Sequence, residues 1–255
     1  MLKALLLTTG CLLLFPTWGR ADEAIALPTD PGTPVVELWY VDRGVLREPE
    51  VAIFASGRVR ISVGNGALWG ELDQEIIRNL VSSLLLKDGL KSLRTEAVQA
   101  ELESESARTG LSCSIKEAGD TIIRVHTATG VYRIDGHAVG LLATRFPNCQ
   151  SVQRLYSAQS RLENIRAIIM VGGPDAALRL AKVAQLQIQT THGETINVTP
   201  ENLVNVRSLA DGTRFCQFVV QDQSRPAVSP RVISVFESPG EIPRVSVLPD
   251  GPSLR

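Results

Sequence analysis

Few side chains in this chain could do chemistry, and they are dispersed. His126, His137 and His192 are its only histidines, and none stands within four residues of another. A zinc site takes three or four nitrogen, sulfur or oxygen ligands in a tetrahedron, so folding would have to assemble one from distant positions. Cys113, Cys149 and Cys216 form no CxxC pair and match no zinc spacing. The simplest reading is three thiols buried as small apolar groups. Export would permit a disulfide, and the pairing then expected is Cys113 with Cys149, which flank one sheet-and-helix unit.

Other fragments resemble sites only briefly. Asp135-Gly136-His137 sets a carboxylate two residues from an imidazole, but Asp-Gly is ordinary turn chemistry and so close a couple is poorly placed for catalysis. Gly172-Gly173-Pro174 ahead of a helix offers backbone N–H groups to an anion, and equally reads as a simple helix break. Asn197-Val198-Thr199 matches a glycosylation acceptor, relevant only in a eukaryotic secretory host. There is no GxSxG elbow, P-loop, GxGxxG or HExxH. The acidic stretch with Glu96, Glu101, Glu103 and Glu105 reads as the solvated face of a helix, not an acid/base pair. Trp39, Tyr40 and Trp69 fall in the first unit, and strand alternation sets Trp39 on the side of Glu37 and Val41, opposite Val36, Leu38 and Tyr40. No catalytic residue, cofactor or metal site is assigned.

The N-terminus points to a compartment. Lys3 is the only early charge, and residues 4–15 form an uncharged, leucine-rich run closed by Pro16 and Arg20. That is the pattern of a secretory signal, and it is shorter than the roughly 20 residues of a bilayer-spanning helix. Gly19 and Ala21 supply small residues at minus three and minus one, so cleavage is expected between Ala21 and Asp22. Thr8-Thr9-Gly10-Cys11 is a rival lipobox that would leave a lipid anchor on Cys11. It lacks the usual leucine and would strand residues 12–15 on the mature end. No later apolar stretch is long enough to span a membrane, so the mature chain is expected to be soluble and secreted or periplasmic.

Composition narrows the partners. The 255 residues carry 26 basic and 27 acidic side chains, and loss of Lys3 and Arg20 would tip the balance further toward acid. The arginines are scattered, so no basic patch suggests nucleic acid or a polybasic membrane contact. What remains open is a protein partner.

The positioning elements read as α+β. Residues 22–34 are a Pro- and Asp-containing leader expected to be flexible, 35–171 a domain of two sheet-then-helix units, and 174–250 a helix with a β-rich end that packs with it or apart from it. Strands are expected over 35–41, in a 51–63 hairpin broken at Ser56-Gly57, and over 113–116, 121–127 and 131–134. Helices follow over 72–87, behind Asp73 as cap, and over 95–107, 151–170 and 174–185, before a switch to strand over 186–191. Residues 128–134 (ATGVYRI) echo residues 55–61 (ASGRVRI), a faint internal repeat. The last third offers a 203–209/214–220 hairpin about Asp211-Gly212 and a 231–236/244–248 pair about Ser238-Pro239-Gly240. The expectation is an exported, non-catalytic periplasmic or envelope module that binds or scaffolds protein. The alternative is an exported hydrolase using His126, His137 or His192 as base.

Overall fold

The computed structural model describes residues 25–42, 45–46, 48–221 and 230–248. The expected signal, its cleavage point and Cys11 lie outside these. The fold is mixed α+β with two antiparallel sheets.

The large sheet begins with β1 (Pro34–Asp42), whose β-branched and aromatic run favours a pleated strand, and β2 (Val45–Leu46), which pairs with its end. β3 (Val51–Phe54) and β4 (Arg58–Val63) are the expected hairpin, and β5 (Gly66–Glu71) adds a strand that periodicity did not reveal. β6 (Asp120–Thr127) and β7 (Gly130–His137) complete the order β5-β4-β3-β1-β6-β7. The two sheet-and-helix units therefore share one sheet, joined where β1 pairs with β6. Their echoing segments each end in the second strand of a hairpin, β4 and β7.

One face of this sheet is core: Val36, Leu38, Val51, Ile53, Val59, Ile61, Ile123, Val125 and Ile134 are buried. Against it lies α4 (Gln150–Val171), whose stripe Leu155, Ala158, Leu162, Ile165 and Ile169 is buried as its spacing predicts. Two strand glycines set how close α4 comes. A Cβ at Gly70 would stand 2.8 Å from Ile169 Cδ1, and one at Gly136 would stand 2.5 Å from Leu155 Cδ2. Asp135-Gly136-His137 is therefore not a turn: β7 runs through it, and the glycine is there for packing.

α1 (Gln74–Ser82) runs on through a π-helical turn (Ser83–Lys87), and Asp88 N–H closes it onto the Ser83 carbonyl at 2.8 Å. Asp88, itself buried, accepts from Arg161 Nε at 3.0 Å and Ser157 Oγ at 2.8 Å, which ties the helix end to α4. α2 (Thr95–Thr109) buries only Val98 and Leu102. Its acidic face is not all solvated, because Glu101 accepts the Gln150 N–H at 2.7 Å and the Ser151 N–H at 3.0 Å. Those are orphan donors at the start of α4, so Glu101 is a cap supplied from another helix.

Residues 113–116 are not strand. They lie in a loop between α2 and β6 whose Cys113 and Ile115 pack partly buried on the core. A short α3 (Val139–Arg145) precedes α4. The expected flexible leader is tied down from residue 25: Ile25 and Leu27 pack against the core, and the Ala128 N–H donates to the Ala26 carbonyl at 2.8 Å.

α5 (Pro174–His192) absorbs the strand expected over 186–191. The alternating Leu186-Gln187-Ile188-Gln189 also suits a helix, because Ile188 continues the buried series Ala177, Leu180, Ala181 and Ala184 while Leu186 is 62% exposed. The small sheet is a meander of β8 (Leu203–Ser208), β9 (Arg214–Val220), β10 (Arg231–Glu237) and β11 (Arg244–Leu248). α4 touches β8 on one side and β3, β4 and β5 on the other. The buried core is continuous from β1 through α4 to β10.

Candidate functional site

The face of the large sheet turned away from α4 carries a cross-strand row of polar and aromatic side chains. Trp69, Arg60, Ala52, Glu37, Arg124 and Arg133 are register partners in turn across β5, β4, β3, β1, β6 and β7. At its centre Glu37 is 8% exposed, and its Oε2 lies 3.1 Å from His126 Nε2 and 3.9 Å from Arg124 Nη1. The Arg124 guanidinium lies over the Trp39 ring at 5.2 Å, a cation on an aromatic face. Trp39 stands on the Glu37 side and Tyr40 on the core side, as alternation requires. Farther out, Arg60 pairs with Glu48 and Arg133 with Asp135 at 2.8 Å. At the β5 end, Arg58 sits 4.3 Å over Trp69, and Phe54 stacks on the same ring at 5.9 Å.

This arrangement fixes charge around Glu37. The carboxylate orients His126 and offsets the charge of Arg124, and among the described residues no hydroxyl or thiol is hydrogen-bonded to the imidazole. The exposed part of this surface carries guanidinium groups with indole and phenyl rings around the buried carboxylate.

The second arrangement is a cleft of about 420 Å³ between α2, the 110–119 loop and β7, lined by Leu102, Cys113, Asp120, His137 and Leu155 among others. Here His137 Nδ1 is 2.7 Å from Asp120 Oδ1, and Nε2 is 2.8 Å from the Ile115 carbonyl. A carbonyl can only accept, so Nε2 donates; with the carboxylate on Nδ1, the protonated ring satisfies both contacts. The Ile115 carbonyl and then Asp120 accordingly raise the His137 pKa above its ordinary value. The group is an imidazolium clasp that holds the loop to the sheet, and neither nitrogen is free to take a proton from Cys113. The next residue, Ala138, is held at φ 47° with its N–H on the Gly119 carbonyl at 3.0 Å, a left-handed conformation the clasp helps to stabilise.

Other polar groups tie the elements together. Tyr40 donates to Glu163 between β1 and α4, and Gln159 Nε2 reaches both at 3.0 Å. Burial, then the Glu163 charge, pushes the Tyr40 hydroxyl far above its ordinary range. Cys113, Cys149 and Cys216 are all free thiols; burial raises Cys216 to about 11 and also raises Cys149. His192 ends α5. Gly172 and Gly173, both at positive φ, separate α4 from α5. Among the described residues no group of three or more His, Cys, Asp and Glu is placed to hold a metal, and no helix is long and apolar enough to cross a membrane.

Sequence reasoning missed the Glu37 and Asp120 partners because strand pairing supplies them. Glu37 and His126 are 89 residues apart. The usable signal was alternation itself, which sets Glu37 with Trp39 and Arg124 with His126. No protein-family model, curated protein or solved structure matches the chain.

Proposed function

We propose that this chain is an exported, non-catalytic module that binds a protein partner through the outer face of the large sheet. The observation that carries the reading is the row from Trp69 to Arg133, six register partners on the face opposite α4. Aromatic and arginine side chains are the types that anchor protein interfaces, and here Arg124 is held over Trp39 and beside Glu37, Arg58 over Trp69 and Arg133 by Asp135 before anything binds. Hydrolysis is the poorer fit, since His137 has both nitrogens engaged and His126 has a carboxylate but no hydroxyl or thiol beside it among the described residues.

A photo-crosslinking residue at Trp69, Val131 or Arg133 should capture a discrete protein partner in cells that export the chain, whereas one at Leu178 or Leu186 on α5 should not. Capture only from α5 overturns the choice of face. Capture from neither overturns the binding function. The export half of the proposal is tested by N-terminal sequencing of exported protein. A start at Asp22 supports it, and a lipid-bearing Cys11 replaces the soluble form with a tethered one.

A further inference from the structure

The cleft beside His137 is walled by elements that polar contacts hold in place. α2 buries only Val98 and Leu102, too little apolar surface to draw it tightly onto its neighbours. Its position is fixed instead by struts. At its start Thr95 Oγ1 accepts the Asp135 N–H at 3.1 Å and donates to the Asp135 carbonyl at 3.3 Å. In its middle Glu101 takes the Gln150 and Ser151 N–H groups. A further wall is the 110–119 loop, which the His137 clasp fastens to β6 and β7. A space of about 420 Å³ stays open between these elements, at the lower end of the roughly 300–1,000 Å³ of small-molecule sites.

What lines this space selects its occupant. Its deep part is aliphatic: Val98 and Leu102 from α2, Val139 and Leu142 from α3, and Val152 and Leu155 from α4, all buried. Among the described residues, none of the buried side-chain polar atoms left without a hydrogen bond belongs to the lining. A polar group carried inside would give up water and find no side chain in want of a partner. The charged side chains of the lining are Asp120, Asp135 and His137, and each is already matched. Asp120 Oδ1 lies 2.7 Å from His137 Nδ1, and Asp135 takes Arg133 Nε at 2.9 Å and Nη2 at 2.8 Å. A cation would have to displace His137 or Arg133 from its carboxylate, and an anion would meet both carboxylates.

We propose that this cleft is a binding site for a small uncharged apolar molecule, one with a compact aromatic or branched hydrocarbon skeleton. Burial of its carbon against the aliphatic floor supplies affinity. The struts and the clasp stand before it arrives, so little of that gain is spent on ordering the walls. Selectivity against ions comes from the matched charges at the mouth.

The probe is the uncharged fluorophore phenylnaphthylamine, titrated into the full chain in parallel with its sulfonate. The uncharged form should brighten, saturate at a single site, and slow alkylation by iodoacetamide of Cys113, the half-buried thiol of the lining. The sulfonate should bind more weakly by about tenfold or more. Val98→Phe, which fills the cleft from α2, should abolish binding while leaving the melting temperature unchanged. If that variant impairs folding, Cys113→Phe plugs the same space from the loop and is read by fluorescence alone. The proposal is overturned by absence of saturable binding, by binding that leaves Cys113 alkylation unchanged, by equal binding of the sulfonate, or by full binding in a plugged variant that folds. Binding that is lost instead on Leu186→Ser places the probe on the exposed side of α5 and overturns it as well.

Discussion

On the large sheet, the side chains facing away from α4 include Trp69, Arg60, Glu37, Arg124 and Arg133. On the small sheet, the face opposite buried Phe218 and Ile233 carries Phe215, Val219, Val232 and Phe236, with Gln217 and Ser234 between them. Both faces obey the same alternation, and register sets Phe215 against Phe236 and Val219 against Val232. The Phe215 and Phe236 rings lie 5.0 Å apart. The large face is held by ion pairs gathered around the buried Glu37, whereas the small face is held by half-buried apolar pairs on either side of the Gln217–Ser234 pair. Alternation says which positions face outward, and only their identities say what they can meet.

The comparison breaks first at the cores beneath these faces. Phe218→Ala should cost about 3–5 kcal/mol of unfolding free energy in a denaturant titration, because its ring is fully buried. A cost no larger than that of the outward Phe215 would mean that the small sheet is not packed as described. On the large sheet, Glu37→Ala should cost about 1–3 kcal/mol by leaving His126 and Arg124 half-buried without their carboxylate. If Arg124→Ala made in that background changed nothing further, the cluster would be coupled as drawn. Full additivity of the two changes would dissolve it.

Smaller effects sharpen the contrast. Phe215→Ala should cost only about 0.5–1.5 kcal/mol, the worth of an aromatic pair on a partly wet face. The His137 clasp should appear as pH dependence. Its folded pKa is raised, so its contribution is fully present below the unfolded value of about 6.5 and is lost as pH rises through the folded value. Thermal melts between pH 6 and pH 8.5 should thus fall more in the wild type than in His137→Asn, and amide protection over 113–116 should fall with them. Equal slopes would remove the clasp. Last, Trp69→Ala should cost no more than about 1 kcal/mol, since the ring is 47% exposed and gives up only the Phe54 stack and the Arg58 contact, while abolishing crosslinking from its neighbours.

Sequence reading reached those parts whose physics is local. The α4 stripe, the hairpin at Asp211-Gly212 and the break at Gly172-Gly173 all follow from spacing and turn chemistry, and each stands where it was read. It failed where two periodicities overlap, as at Leu186-Gln187-Ile188-Gln189, and where a strand is too exposed to alternate visibly, as in GALWGE. Gly136 was misread for a related reason: a glycine beside an aspartate signals a turn, while the contact that requires it, Leu155, lies on another element. The candidate face was legible only strand by strand, since the row exists by virtue of register.

The pairing of β1 with both β3 and β6 has a consequence for how the chain comes into being. A polypeptide delivered N-terminus first can zip β1, β3, β4 and β5 into a meander as soon as they emerge, because each neighbour follows shortly behind. The other margin of β1 must wait for residues 120–125, by which time two further helices have been delivered. During that interval Val36, Leu38 and Tyr40 line an unfinished edge, and delivery at some 5–20 residues per second makes the wait last seconds. Closure of the sheet is therefore timed by arrival as much as by diffusion, and a pause in delivery between α2 and β6 would lengthen the period in which two nascent copies could pair with each other.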